Sequence, residues 1–211
     1  MRKVWMYIDG YNFYYGIHNR NDLPLGLGWC DFRKLAEQHM IGKDCTLERI
    51  KYFTSRVPND LKHSPGEDFR QDRWLQAVKT IDGLEIVEGF YTPDDDKFRQ
   101  EKQTDVRIAV ELILDAIRPD GYDEAILVTG DIDLAPAVLA VQKRIPTRKA
   151  VNLWIPLSKP SRRWGELIRS DKVSCQEITP EMLADSRLPD RIVQEGKTPI
   201  DCLPGWKMPT K

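Results

Sequence analysis

The 211-residue chain is short of the features that mark several large protein classes. No stretch approaches the ~18 uninterrupted apolar residues of a helical membrane span, so no membrane role is expected. The first residues, Met1-Arg2-Lys3-Val4-Trp5-Met6-Tyr7-Ile8-Asp9, meet a charge too early for the apolar core of a signal peptide. They read as a strand, and a cytoplasmic location is expected. Cys30, Cys45, Cys175 and Cys202 lie far apart with no C-x-x-C pair, and His18, His39 and His63 have no partner at zinc-ligand spacing. A disulfide scaffold and a zinc site are therefore excluded, and reduced structural thiols are expected. There is no excess of either charge. Lys and Arg number 32 against 33 Asp and Glu, which argues against a protein that coats nucleic acid by bulk charge but leaves room for a local basic rim or a local acidic site. No internal repeat and no low-complexity segment occur.

What the chain does have is an apolar fraction of 41% and apolar runs that alternate in period. This length buries a sizeable core without cross-links. Val4 to Ile8 predicts the first strand and Tyr11 to Ile17 a short aromatic helix; Asp31 is placed to cap a helix running to about Met40. Leu47 to Val57 contains the second strand, and Pro65-Gly66 opens a helix with Trp74, Leu75, Val78 and Ile81 at helical spacing. Leu84 to Tyr91 predicts the third strand, and the charged segment Thr92 to Gln103 a solvated connection. Next comes a helix capped by Thr104 and ended by Pro119 and Gly121, with Val106, Val110, Ile113, Leu114 and Ile117 as its apolar stripe. Glu124 to Val128 reads as a strand covered on both faces, Asp133 to Lys143 as a helix, and Ala150 to Ile155 as another strand. Ser161 to Ile168 predicts a helix, Lys172 to Cys175 an edge strand, and Thr179-Pro180-Glu181 a helix start. The domain then spans 1–186. Residues 187–211 carry four prolines and no helical stripe, and are expected to form an extended or disordered tail whose Ile200 and Trp206 can dock on a protein partner or on the domain itself.

This alternation implies an α/β domain with a mostly parallel sheet, and ligand sites in such sheets lie beyond the carboxyl ends of the strands. Two apolar strands end there in aspartates: Ile8-Asp9-Gly10-Tyr11-Asn12, and Val128-Thr129-Gly130-Asp131-Ile132-Asp133. A third acid, Asp105, heads the striped helix. Each of these taken singly is more often a turn residue or a helix cap. Taken jointly, if the first and fourth strands are neighbours, the carboxylates converge. Clustered carboxylates are stable together around cations, and oxygen ligands without His or Cys select Mg²⁺ or Mn²⁺. Such ions hold a phosphodiester and activate water. Basic side chains must then offset the acids for an anionic substrate, and Arg56, Lys102, Arg107, Lys159, Arg162 and Arg163 are the candidates. Trp164 is expected buried rather than stacked on a base. Of the run Tyr11, Phe13, Tyr14 and Tyr15, Tyr11 is expected to face the site. A haloacid dehalogenase-type phosphatase would need a second Asp two residues from the first, and Asp9 has Tyr7 before it and Tyr11 after it. A Rossmann-type nucleotide binder would need a Gly-rich turn after the first strand, where Gly10 stands alone.

Ile8 to Phe13, Glu101 to Val106, and Val128 to Leu134 resemble the three signatures of NYN domains, PIN-like metal-dependent nucleases that include the bacterial LabA-like or DUF88 group. The resemblance covers roughly Met1 to Glu181. It implies a three-layer α/β/α PIN-like fold and a ribonuclease dependent on Mg²⁺ or Mn²⁺, with Asp9, Asp105, Asp131 and Asp133 as metal ligands, Asn12 as a polar helper, and products ending in 5′-phosphate and 3′-hydroxyl. Thr129 and Tyr11 would contact the substrate, which would be single-stranded or structured RNA. Common family versions read Lys-Gly-Val-Asp and Ser-Gly-Asp-Ser-Asp-Phe. Here Gln103-Thr104 stands in the first motif, and Thr129, Ile132 and Leu134 stand in the second. Thr129 keeps a hydroxyl, Ile132 removes one, and all four acids are present. The rival expectation is a catalytically weak or inactive NYN-like protein that binds RNA or a partner. A homodimer stays open on the sequence.

Overall fold

The computed structural model describes residues 1–57, 66–91, 101–145, 149–171 and 173–208. Residues 92–100 of the charged connection, Pro65 and Lys172 lie outside that set. The core is a six-stranded parallel sheet in the order β3-β2-β1-β6-β7-β8. Its strands are β1 (Arg2–Asp9), β2 (Cys45–Thr54), β3 (Leu84–Glu88), β6 (Glu124–Val128), β7 (Ala150–Pro156) and β8 (Ser174–Ile178). Between β3 and β6, β4 (Phe90–Tyr91) and β5 (Glu101–Lys102) pair antiparallel as a separate arm, so the single strand expected over 84–91 is broken in two. The first and fourth predicted strands, β1 and β6, are neighbours, with Ile8 level with Val128.

Helices cover both faces, as an all-parallel sheet requires. On one side α1 (Gly10–His18), α2 (Phe32–Leu35) with the π turn Ala36–Met40, α3 (Glu67–Val78) and α7 (Pro180–Asp185) bury Phe13, Phe32, Leu35, Trp74 and Leu183 against Met6, Ile8 and Ile126. On the other, α4 (Thr104–Ile117), α5 (Ala135–Arg144) and α6 (Arg162–Asp171) bury Ile108, Leu112, Val138, Val141 and Trp164 against Tyr7, Leu127 and Leu153. Among the described residues no helix is long and apolar enough to cross a membrane. The four cysteines are free.

Two expectations are corrected. The inward face of α4 is Ile108, Leu112, Asp115 and Ala116. Of the predicted stripe only Ile113 packs against the core; the rest points outward, with Val106 65% exposed, Val110 47%, Leu114 50% and Ile117 58%. A buried polar cluster fixes this rotation. Lys51 Nζ on β2 donates to Asp115 and to Glu111 (2.6 Å), and the Tyr7 hydroxyl donates to Asp115 Oδ2 (2.8 Å). Asp115 without that cation would be a buried unpaired charge, costing several kcal/mol. The segment after Arg187 is likewise not an extended tail. β9 (Arg191–Ile192) pairs antiparallel with β10 (Ile200–Asp201), and the turn Pro204–Trp206 seats a buried Trp206 against Trp29 and Trp74. Leu188 N donates to Trp29 O (2.9 Å), and Trp29 Nε1 donates to Pro189 O (2.9 Å). The segment docks on the domain itself.

Candidate metal centre

Parallel register carries Asp9 and Thr129 to the same end of adjacent strands. There Thr129 Oγ1 donates to Asp9 Oδ2 (2.9 Å) and accepts the Asp131 N–H (3.0 Å). Asp9 also caps α1, its Oδ1 accepting the Asn12 N–H (3.0 Å). Asn12 Oδ1 in turn accepts the Gly130 N–H (2.7 Å), fastening the loop after β1 to the loop after β6. Asp131 Oδ1 accepts the Asp133 N–H (2.9 Å), so Asp131 caps the 3₁₀ turn Ile132–Leu134. The capping roles expected for Asp9 and Asp131 are present in the structure. Gly10 is required by close approach, since a Cβ there would lie 2.6 Å from Phe53 O and 2.7 Å from the Tyr52 ring.

Asp9, Tyr11, Asn12, Asp105 and Asp131 line one open groove of about 370 Å³. Tyr15 lines it as well, so Tyr11 is not alone among the aromatic run in facing the site. Asn19 and Ser158 also line it, and nothing in the sequence pattern singled them out. Asp133 does not line the groove, yet it belongs to the same electrostatic cluster. Burial first, then the Asp131 and Asp133 charges, raise the Asp105 carboxyl above its ordinary pKa. A carboxylate whose proton affinity is raised by neighbouring carboxylates attracts a divalent cation in the same place. The donor set, all carboxylate and amide oxygen, suits Mg²⁺ or Mn²⁺. As they stand, however, no three acidic, His or Cys side chains among the described residues are close enough to form a closed metal cage.

The other predicted residues divide. Tyr11 faces the groove, and its hydroxyl donates to Ser55 O (2.9 Å). Thr129 is fully buried and aligns Asp9 and Asp131, so it positions the acids and does not reach a substrate. Arg56 is drawn to Glu88 (3.0 Å) and Asp72, and Arg107 donates to Glu88 O, so neither lines the groove. Lys159, Arg162 and Arg163 are exposed just beyond groove-lining Ser158, with Arg162 held by Glu166 (3.1 Å). The Lys102 side chain lies outside the described residues. Trp164 is buried as expected, and its Nε1 donates to Gly130 O (3.1 Å), anchoring the acid-bearing loop from α6. Backbone strain concentrates here too. Among the described residues, Gln103 (φ 79°), which precedes Thr104 and Asp105, and Leu157 (φ 50°), between groove residues Pro156 and Ser158, are the non-glycine residues with positive φ. Gln103 rather than Thr104 is the N-cap of α4; Thr104 Oγ1 is buried 3.2 Å from Ser55 Oγ.

A parallel α/β sheet with helices on both faces and aspartates gathered at the ends of its two central strands defines a Rossmann-like domain with an acidic groove. The chain belongs to the NYN domain family, whose profile matches residues 3–163. The family is nuclease-like, and its members generally bind RNA. The chain is also similar to 6-hydroxy-3-succinoylpyridine 3-monooxygenase HspA of Pseudomonas putida, at 26% identity over 94% of this chain and 73% of that one. A solved structure of a Vibrio parahaemolyticus protein of unknown function shares the fold, with a TM-score of 0.56 and 21% identity over 84% of this chain and 93% of that one.

Proposed function

We propose that this chain is an RNA endonuclease whose groove of Asp9, Asp105 and Asp131, with Asp133 beside it, holds Mg²⁺ or Mn²⁺. The observation that carries the reading is the crowding of Asp105 by Asp131 and Asp133 in the groove that Asp9 also lines. When bound, a divalent ion supplies Lewis-acid polarisation of the phosphodiester and neutralises charge on the leaving oxygen. The chain's own part is orientation. Thr129 and the Asn12 N–H fix both oxygens of Asp9, and the Asp133 N–H fixes Asp131. Lys159, Arg162 and Arg163, exposed just after groove-lining Ser158 in the chain, would meet backbone phosphates. Phosphate contacts of this kind give affinity without base choice.

The test is cleavage of mixed labelled RNA in Mn²⁺, with an EDTA control. Asp9→Asn and Asp131→Asn are expected to fold normally and to lose cleavage by about 10²–10³-fold, the several kcal/mol that metal electrophilic catalysis supplies. Full activity in either variant overturns the site. Tight RNA binding without any metal-dependent cleavage would assign the chain to the non-catalytic readers of RNA. The likeness to HspA favours a second reading, turnover of a hydroxylated pyridine. It is tested by loss of 6-hydroxy-3-succinoylpyridine in the presence of dioxygen and a two-electron reductant.

A further inference from the structure

Tyr11 has two sides. One lines the acidic groove; the other lines a separate cavity under the carboxyl end of β2, walled by Tyr14, Tyr52, Trp74 and Trp206. The polar atoms of these walls are largely turned on the protein itself. Trp74 Nε1 donates to Tyr52 Oη (3.0 Å), the Tyr11 hydroxyl donates to Ser55 O, and Gln71 at the rim bonds Val57 N and Ser55 O (2.8 Å each). What such walls offer an occupant is aromatic surface, which suits a flat ring held by stacking rather than by edge hydrogen bonds. The cavity is about 40 Å³. That is room for roughly three waters, or on the order of 90 Å³ of displaced liquid, the size of one six-membered ring and too small for a fused bicycle.

We propose that this cavity receives the base of a nucleotide flanking the cleaved phosphodiester, and that it selects a pyrimidine over a purine. The proposal rests on the reading of the groove as an RNA site. Gly10, next to Asp9, lines the cavity, so a strand whose phosphate lies on the acids carries an adjacent base past Tyr11 and into it. An unpaired base is required, because a base in a duplex cannot turn its faces to side chains. The substrate is therefore single-stranded at the cut. Trp206 makes the C-terminal segment one wall of the cavity.

Trp74 and Trp206 supply the readout. In EDTA, where cleavage is impossible, uridine 5′-monophosphate is expected to quench tryptophan fluorescence saturably, adenosine 5′-monophosphate at least about fivefold more weakly, and ribose 5-phosphate not at all. Val57→Phe, which adds a ring to the cavity wall, is expected to weaken uridine monophosphate about tenfold, while Val57→Ala keeps it. Equal affinity for the two nucleotides, quenching by ribose 5-phosphate, no quenching at all, or an unchanged Val57→Phe protein with native circular dichroism overturns the proposal. So does tighter binding of 6-hydroxy-3-succinoylpyridine than of uridine monophosphate. Nucleotide binding without Mn²⁺-dependent RNA cleavage refutes the nuclease reading and leaves the cavity assigned. Cleavage without nucleotide binding does the reverse.

Discussion

Asp105 and Asp115 sit on the same helix, α4, and the chain treats them in opposite ways. Asp115 is 2% exposed and is met by Lys51, by the Tyr7 hydroxyl and, at 3.9 Å, by Arg118. Among the described residues Asp105 has no ion pair; its electrostatic neighbours are Asp131 and Asp133, which raise its proton affinity. One carboxylate is neutralised from within and holds the helix to the sheet. The other is set among like charges at the mouth of the sheet, an arrangement that a bound cation would relieve. On the proposed reading of the groove, the difference separates an acid that serves the fold from one that serves a ligand.

The comparison breaks most visibly at Lys51. Lys51→Met strands Asp115 in the core and is expected to lower stability by about 3–5 kcal/mol in urea unfolding, while Lys51→Met/Asp115→Leu regains most of it. Loss in the double variant equal to that in the single one would show that the cluster does not act as a pair. At the other acid, saturating Mn²⁺ is expected to stabilise the wild-type protein by about 2.7 kcal/mol at a hundred times its dissociation constant, read as a rise in melting temperature, and to leave Asp9→Asn unmoved. Asp105→Asn relieves the crowding. Because Asp105 is exposed, the change is expected to stabilise the metal-free protein by less than about 1 kcal/mol while removing cleavage, the opposite sign to a change at Asp115. Smaller still is Gln103→Gly. The left-handed backbone just before Asp105 costs a side chain about 1 kcal/mol or more, and glycine's greater freedom in the unfolded chain takes back about 0.5–1 kcal/mol, so glycine is expected to raise the melting temperature by only about 1 °C, with cleavage kept.

The sheet and the places of Asp9 and Asp131 were legible because both depend on local signals: strand-length apolar runs, and aspartates just after those runs stop. The NYN resemblance added the order in which they meet. The rotation of α4 was not legible. Val106, Val110, Leu114 and Ile117 repeat at helical spacing as well as Ile108, Leu112 and Ala116 do, so periodicity offers two faces. What decides between them is Asp115, which looks like a polar break in the inward face until Lys51, distant in sequence, is seen against it. Arg56 and Arg107 were misplaced for a similar reason, because their partners Glu88 and Asp72 are met only in space. The C-terminal segment misled by composition. Its prolines suit irregular backbone, and irregular backbone can still pack when a tryptophan such as Trp206 anchors it. Conversely, Gln103 becomes intelligible only with the structure in hand: it stands where the resembled motif has glycine, and its backbone takes the left-handed form that glycine favours.

The pairing of β1 with β6 has a kinetic consequence. It joins Val4–Ile8 to Glu124–Val128 across more than half the chain, and sequence-distant contacts are the slow ones to form in folding. Asp9 and Asp131 therefore remain strangers until the central seam of the sheet closes. A chain arrested before that step has its first helices and no groove, so the capacity to bind a divalent ion should arise late and in a single step, giving refolding a marker that circular dichroism of the helices would miss.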